Sequence, residues 1–127
     1  MKKFLLVIIV LMITFNSYAQ SNWVFVTSSV NEDDFFVDRG SFQTQGDSVT
    51  FWQRINYKQR SKSGDLSVKA QKTINCRTRE DITRFLILYD DVNNNGRITD
   101  SFKPSNSSWD PIPPDTALWT VYKFVCK

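Results

Sequence analysis

Two cysteines, Cys76 and Cys126, constrain this chain more than any other feature. They are the only cysteines among 127 residues, and both follow an N-terminal segment with the features of an export leader. Thiols of exported proteins are not kept reduced, so a lone pair of cysteines is expected to form one disulfide. Such a bridge closes a loop of about 50 residues, for which chain entropy gives roughly 4 kcal/mol. We therefore predict a long-range covalent contact and a reduced protein of marginal stability.

Residues 1–19 have the order of a signal peptide. Two lysines precede an apolar run from Phe4 to Phe15, and Ser17 and Ala19 are the small residues of a cleavage site. The run is shorter than the roughly 20 residues of a membrane span, and no cysteine follows it that could carry a lipid. We expect residues 20–127 to form one exported domain, periplasmic, secreted or at the cell surface, without a membrane span and not a lipoprotein. A retained N-terminal anchor is the alternative.

The charge and composition of the chain argue against several classes of function. With the two leader lysines removed, basic and acidic residues nearly balance, which argues against a nucleic-acid partner. The chain has no histidine, so histidine-based nucleophilic catalysis is excluded and the commonest metal ligand is missing. We predict a protein that is not an enzyme and uses no cofactor. A hydrolase is disfavoured because the paired acids all fall at expected turns: Asp33-Asp34, Glu80-Asp81 and Asp90-Asp91.

Alternating apolar and polar residues, separated by turn residues, predict an antiparallel sheet. The two clearest strands are Val49–Lys58 and Leu66–Arg77, and shorter strands are expected at 23–27, 35–38, 83–89 and 97–102. The period of two places Cys76 on the apolar face beside Ile74. Lys72 interrupts the alternation, so we expect it near a sheet margin or with its amine extended to water.

The C-terminal segment predicts a helix. All four prolines lie between Pro104 and Pro114, which indicates an extended connection. A helix is expected from Asp115 to Val125, with Asp115 or Thr116 as its cap, and its apolar face includes Cys126. Because both cysteines then point into one interface, we predict an α+β fold: a twisted antiparallel sheet with a C-terminal helix packed on one face and tied to it by the disulfide.

One turn has part of a calcium-binding pattern. Asp91, Asn93 and Asn95 match the first half of a D-x-N-x-N-G loop, but Phe102 occupies the position of the bidentate glutamate. The Asn-Gly pair suits a β-hairpin turn. We therefore expect a turn and no metal site.

The polar face of the two long strands is the candidate binding surface. A tryptophan among basic residues is typical of a protein-binding anchor. The alternative is a solvated face whose tryptophan packs under a loop. The side chains that the alternation places there are Trp52, Arg54, Lys58, Lys69, Asn75 and Arg77.

Several short segments occur in a recognisable order, with both cysteines in place. They are Trp23-Val24, Phe36-Val37-Asp38 with Ser41, Val49-Thr50-Phe51-Trp52, Asn56-Tyr57-Lys58, Ile74-Asn75-Cys76, Leu88-Tyr89-Asp90, Trp109, Ile112-Pro113-Pro114-Asp115-Thr116 and Cys126. This set resembles the surface-adhesin protein E family of Gram-negative bacteria. The resemblance covers nearly the whole of residues 20–127.

The resemblance implies a six-stranded antiparallel sheet with a C-terminal helix tied to it by the two cysteines. It also implies an adhesin that binds host extracellular-matrix or serum proteins, through a stretch around Lys69, Lys72, Asn75, Arg77 and Arg79. Our leading hypothesis is such a binding domain, whose partner is a host protein or an envelope protein. An unpaired sheet edge would also allow a homodimer. The alternative is a periplasmic accessory protein, or a small inhibitor resembling lysozyme inhibitors, with no adhesive role.

Overall fold

The computed structural model describes residues 21–105 and 107–127, so the expected signal peptide at 1–19 lies outside the described residues. Within them the chain forms an antiparallel sheet followed by one α-helix, which confirms the predicted α+β class. The strands are β1 Trp23–Ser28, β2 Asp34–Asp38, β3 Gln43–Gln45, β4 Ser48–Asn56, β5 Ser67–Asn75, β6 Glu80–Tyr89, β7 Ile98–Phe102 and β8 Asp110–Pro111, and the helix is α1 Ala117–Val125.

Six strands form the main path of the sheet, in the order β1-β2-β4-β5-β6-β7, as expected. Two short strands were not predicted: β3 pairs with β4, and β8 pairs with the start of β6. β8 lies inside the proline-rich stretch, for which the prolines predict an extended connection and no central strand. Pro111 is accommodated there because β8 is a two-residue edge strand, where a missing N–H is tolerated.

The core lies between one face of the sheet and α1. Val37, Phe51 and Ile74 are almost fully buried on this face and pack with Val121 and Val125 of the helix. Each such side chain stabilises the fold by about 1.5–3 kcal/mol relative to exposure. The period-two pattern of β4 and β5 therefore identified the buried face correctly.

The helix begins two residues later than predicted. Asp115 has a φ of 64°, outside the helical region, and the Thr116 hydroxyl accepts a hydrogen bond from the Trp119 N–H at 3.2 Å. Thr116 is thus the cap. At the other end Cys126 is bonded to Cys76, with 5.6 Å between their Cα atoms. The predicted disulfide is confirmed.

Lys72 differs from the expectation. It lies in the middle of β5 on the helix side and is only 8% exposed. Its ammonium pairs with the Asp81 carboxylate at 2.5 Å and donates to the Thr83 hydroxyl at 3.1 Å. A β-bulge after Gln71 sets this register against β6. A buried charge needs a partner. We expected the Lys72 ammonium to reach water, but it is instead stabilised by the Asp81 carboxylate.

The buried pair gives a stability prediction. Asp81→Asn leaves the Lys72 charge buried without its counterion, so we expect a loss of about 3–5 kcal/mol in the free energy of unfolding. The double variant Lys72→Met/Asp81→Leu removes both charges and should recover most of that loss. Urea denaturation of the three proteins measures both effects. A single variant as stable as the parent would contradict the assignment.

The disulfide gives a second prediction. In the variant Cys76→Ser/Cys126→Ser the unfolded chain regains the entropy of a loop of about 50 residues, so unfolding should become easier by about 4 kcal/mol. Urea denaturation with and without dithiothreitol provides the control. The reductant should destabilise the parent by a similar amount and leave the double variant unchanged.

Candidate functional site

The sheet face opposite α1 carries alternating aromatic and basic side chains from four neighbouring strands. Phe25 of β1 lies opposite Phe36 of β2, Phe36 opposite Arg54 of β4, and Arg54 opposite Lys69 of β5. Residues directly opposite in antiparallel strands point to the same face. We call this set the aromatic–cation cluster: Trp23, Phe25, Phe36, Trp52, Arg54 and Lys69.

Cations in the cluster lie against aromatic rings. The Arg54 guanidinium is 4.1 Å from the ring centroid of Trp23 and 5.8 Å from that of Phe36. The Lys69 ammonium is 4.8 Å from the centroid of Trp52. All three distances fall within the range of cation–π attraction. These contacts hold two long, flexible basic side chains in defined positions on an accessible surface.

Arg54 has the most unusual environment in the cluster. Partial burial lowers the pKa of its guanidinium, and nearby Asp38 acts in the opposite direction. Its Nε is buried and has no hydrogen-bond partner among the described residues. The Asp38 carboxylate is already used, because it accepts the N–H groups of Asn22 at 2.7 Å and Gly40 at 3.0 Å. Arg54 thus has an unused donor beside a half-buried aromatic surface.

The structure brings together three of the candidate binding residues: Trp52, Arg54 and Lys69. It adds Trp23, Phe25 and Phe36, which the sequence analysis did not select. β1 carries apolar residues on both faces, with Trp23 and Phe25 alternating with valines. An edge strand that is apolar on both faces predicts a second, partly exposed apolar surface on the sheet. This pattern can be read from the sequence of β1.

The other candidates lie elsewhere, which corrects the expectation of a single surface. Lys58 follows the end of β4, 3.8 Å from Glu32, whereas Arg77 follows β5 at the opposite end of the sheet, 3.0 Å from Asp47. Both residues lie beyond the ends of their strands, and a nine-residue strand separates its two ends by about 30 Å.

Three further candidates are also outside the cluster. The Asn75 side-chain oxygen accepts the N–H groups of Arg77 and Thr78 and so shapes the β5–β6 turn. The Arg79 guanidinium lies 5.9 Å from the Trp119 ring on the helix side. Lys72 is buried against Asp81 and cannot reach a partner without unfolding the core.

The turn with calcium-like spacing is a hairpin connection. The Asp91 carboxylate accepts the N–H of Val92, and the Asn93 side-chain oxygen accepts the side-chain amide of Asn56. Asn93, Asn94 and Gly96 have positive φ angles of 59°, 59° and 77°, whereas Asn95 has a φ of −96°. The connection is therefore longer than the two-residue Asn-Gly turn that the sequence suggested, in which both residues need a positive φ. Over residues 21–105 and 107–127, no group of three potential acidic, histidine or cysteine ligands could hold a metal ion.

An open sheet face of aromatic and basic side chains has the composition that is typical of protein-binding surfaces, and comparison with known proteins gives the family of the chain. The profile of surface-adhesin protein E matches residues 23–127. The chain belongs to the surface-adhesin protein E family. This is a family of surface adhesins and not of enzymes, and membership implies an exported or surface-located protein.

Solved structures of Haemophilus influenzae protein E have the same fold. One shares 18% sequence identity and covers 86% of this chain and 86% of that chain, with a TM-score of 0.62. A crystal structure from a non-typeable strain shares 18% identity over 87% of this chain and 78% of that chain, with a TM-score of 0.61. No curated protein matches the sequence. In the part of the chain that the structure describes, no helix has the length and apolarity needed to cross a membrane.

The stacked arginine gives a prediction for this face. Arg54→Ala removes contacts with two rings in a half-buried site, so we expect a loss of about 1–2 kcal/mol in the free energy of unfolding. Arg77→Ala removes an exposed ion pair and should change stability by less than about 0.5 kcal/mol. Thermal and urea unfolding compare the two. Equal losses would show that the stacking contributes nothing.

Proposed function

We propose that this chain is an exported, non-enzymatic, adhesin-like domain that binds a host extracellular-matrix or serum protein through the aromatic–cation cluster. Family membership supports the adhesive class. The observation that carries the choice of surface is the pair of basic side chains, Arg54 and Lys69, held on aromatic rings of the open sheet face.

The physical properties of the cluster suit a protein interface. Tryptophan and arginine are the residues that most often dominate binding energy, and Trp52 and Arg54 are adjacent positions on the same face of β4. Stacking restricts Arg54 and Lys69 before binding, so less side-chain entropy is lost on association. A partner carboxylate would meet a guanidinium that is already held in place, which favours a short, charge-assisted hydrogen bond.

The disulfide supports the proposed location. The bridge between Cys76 and Cys126 persists in the oxidising space outside the cytoplasm, where a surface adhesin acts. An adhesin must also keep its fold at low concentration and without intracellular chaperones. A covalent link that destabilises the unfolded chain serves that requirement.

Binding to immobilised vitronectin and laminin tests the proposal. The variant Trp52→Ala/Lys69→Glu alters the cluster without touching Arg54, so the structural stacking on Trp23 is retained. We expect its affinity to fall by about 100-fold, the size of a hot-spot loss. The matched control Lys58→Glu/Arg77→Glu reverses two basic residues at the ends of the same strands and should stay within about threefold of the parent.

Folding is checked by circular dichroism and by the unfolding midpoint of each variant. If the cluster variant and the parent are both folded and bind equally well, the aromatic–cation cluster is not the binding surface. A loss of binding confined to the control variant would show that the interface lies at the strand ends.

A further inference from the structure

A groove of about 560 Å³ extends the open face towards the proline-rich connection. Its floor is formed by Trp52, Gln71 and Phe85 of the sheet, and its rim includes Arg84 and Lys103. Of the described residues that line it, none is acidic. The electrostatic field of the groove therefore favours an anionic ligand.

The groove continues a row of basic residues that crosses the sheet. Arg54 lies on β4, Lys69 opposite it on β5, Arg84 at the bulge of β6, and Lys103 just after β7. With strands about 4.8 Å apart, and with the offset along β6 included, this cation row spans roughly 15–20 Å. An isolated phosphate or carboxylate would contact one end of it. The row matches a linear ligand with repeated negative charges.

Within the described part of the chain, the four members of the row form no ion pair with an acidic side chain. The ion pairs found there involve Lys58, Lys72, Arg77 and Arg97, and none involves a residue of the cation row. Arg84 instead donates to the Thr73 hydroxyl at 3.3 Å and lies 5.9 Å from the ring of Trp109. Its charge remains available to a ligand.

Aromatic rings accompany the charges. Trp52 and Phe85 line the groove, and Trp109, 40% exposed, stands beside Arg84. Such rings present flat apolar surfaces next to polar groups. The C–H face of a sugar ring packs on a surface of this kind, while its hydroxyl groups bond to amide and hydroxyl side chains such as Gln71 and Ser107. An acidic peptide would supply the charges but not a ring at each repeat.

We propose that the groove and the cation row bind a linear acidic glycan of the host matrix, with sulfate or carboxylate groups on successive sugar rings. This inference rests on the proposed adhesive function and gives the chemistry of one part of its target. Single-stranded nucleic acid also combines anions with stacking rings, but the near balance of charge outside the leader opposes it.

A heparin octasaccharide is the probe, and binding to residues 20–127 is measured by calorimetry at several salt concentrations. Arg84→Gln/Lys103→Gln should weaken binding about tenfold or more, the effect expected when two charge-assisted contacts are lost. The same variant should reduce the dependence of affinity on salt, because fewer counterions are released. The control Lys58→Gln/Arg77→Gln removes equal charge and should stay within about twofold.

The variant Trp52→Leu tests the contribution of the aromatic ring to binding separately from that of the charges. It should weaken octasaccharide binding several-fold while the salt dependence stays that of the parent, since no cation is removed. Three results would overturn the inference: no binding of the octasaccharide by the parent, equal loss in the control variant, or tighter binding of a glutamate polymer or an oligothymidylate.

Failure of this inference is distinguishable from failure of the proposed function. If the parent binds vitronectin or laminin through the cluster but does not bind the octasaccharide, the glycan inference fails and the adhesive function stands. If the octasaccharide binds through the cation row and neither matrix protein binds through the cluster, the protein-binding proposal fails and the glycan site stands.

Discussion

The bond between Cys76 and Cys126 fixes α1 against one face of the sheet. Because the helix covers that face, the opposite face is the one left open to solvent. A sheet of this size buries one face against its helix, and the described residues supply no second layer for the opposite face. Aromatic residues on that face are therefore stabilised by their neighbours within the sheet. Trp23 and Phe36 achieve this by packing against the Arg54 guanidinium.

The same contacts limit aggregation through the open face and order the side chains of the proposed binding surface. An exposed aromatic patch promotes aggregation unless charged groups interrupt it. Arg54 and Lys69 interrupt this one, and the rings in turn hold the two cations in place. A partner that binds there meets charges that are already ordered and rings that are already half-desolvated. Protection against aggregation and the proposed recognition thus depend on one set of side chains.

Local patterns in the sequence were sufficient for the elements and for the buried face, because the period of two in β4 and β5 is read within each strand. The disulfide was the one long-range contact that could be predicted, because the chain has only two cysteines to pair. Other long-range pairing was not accessible in this way. Lys72 is buried because Asp81 of the next strand meets it, and a bulge sets that register. The alternation predicted one face for Lys58 and Arg77, yet they lie beyond opposite ends of the sheet, separated by the length of the strands.

The distribution of acidic residues explains how a domain with almost balanced charge presents a basic row. Asp81 forms an ion pair with Lys72 in the core, and Glu32 and Asp47 pair with basic residues at the two ends of the sheet. Asp38, beside Arg54, is buried and accepts backbone N–H groups. Because the acids are held at these positions, the middle of the open face retains positive charge that the total does not reveal. Net charge limits long-range attraction, whereas the placement of counterions decides which surface is able to recognise an anion.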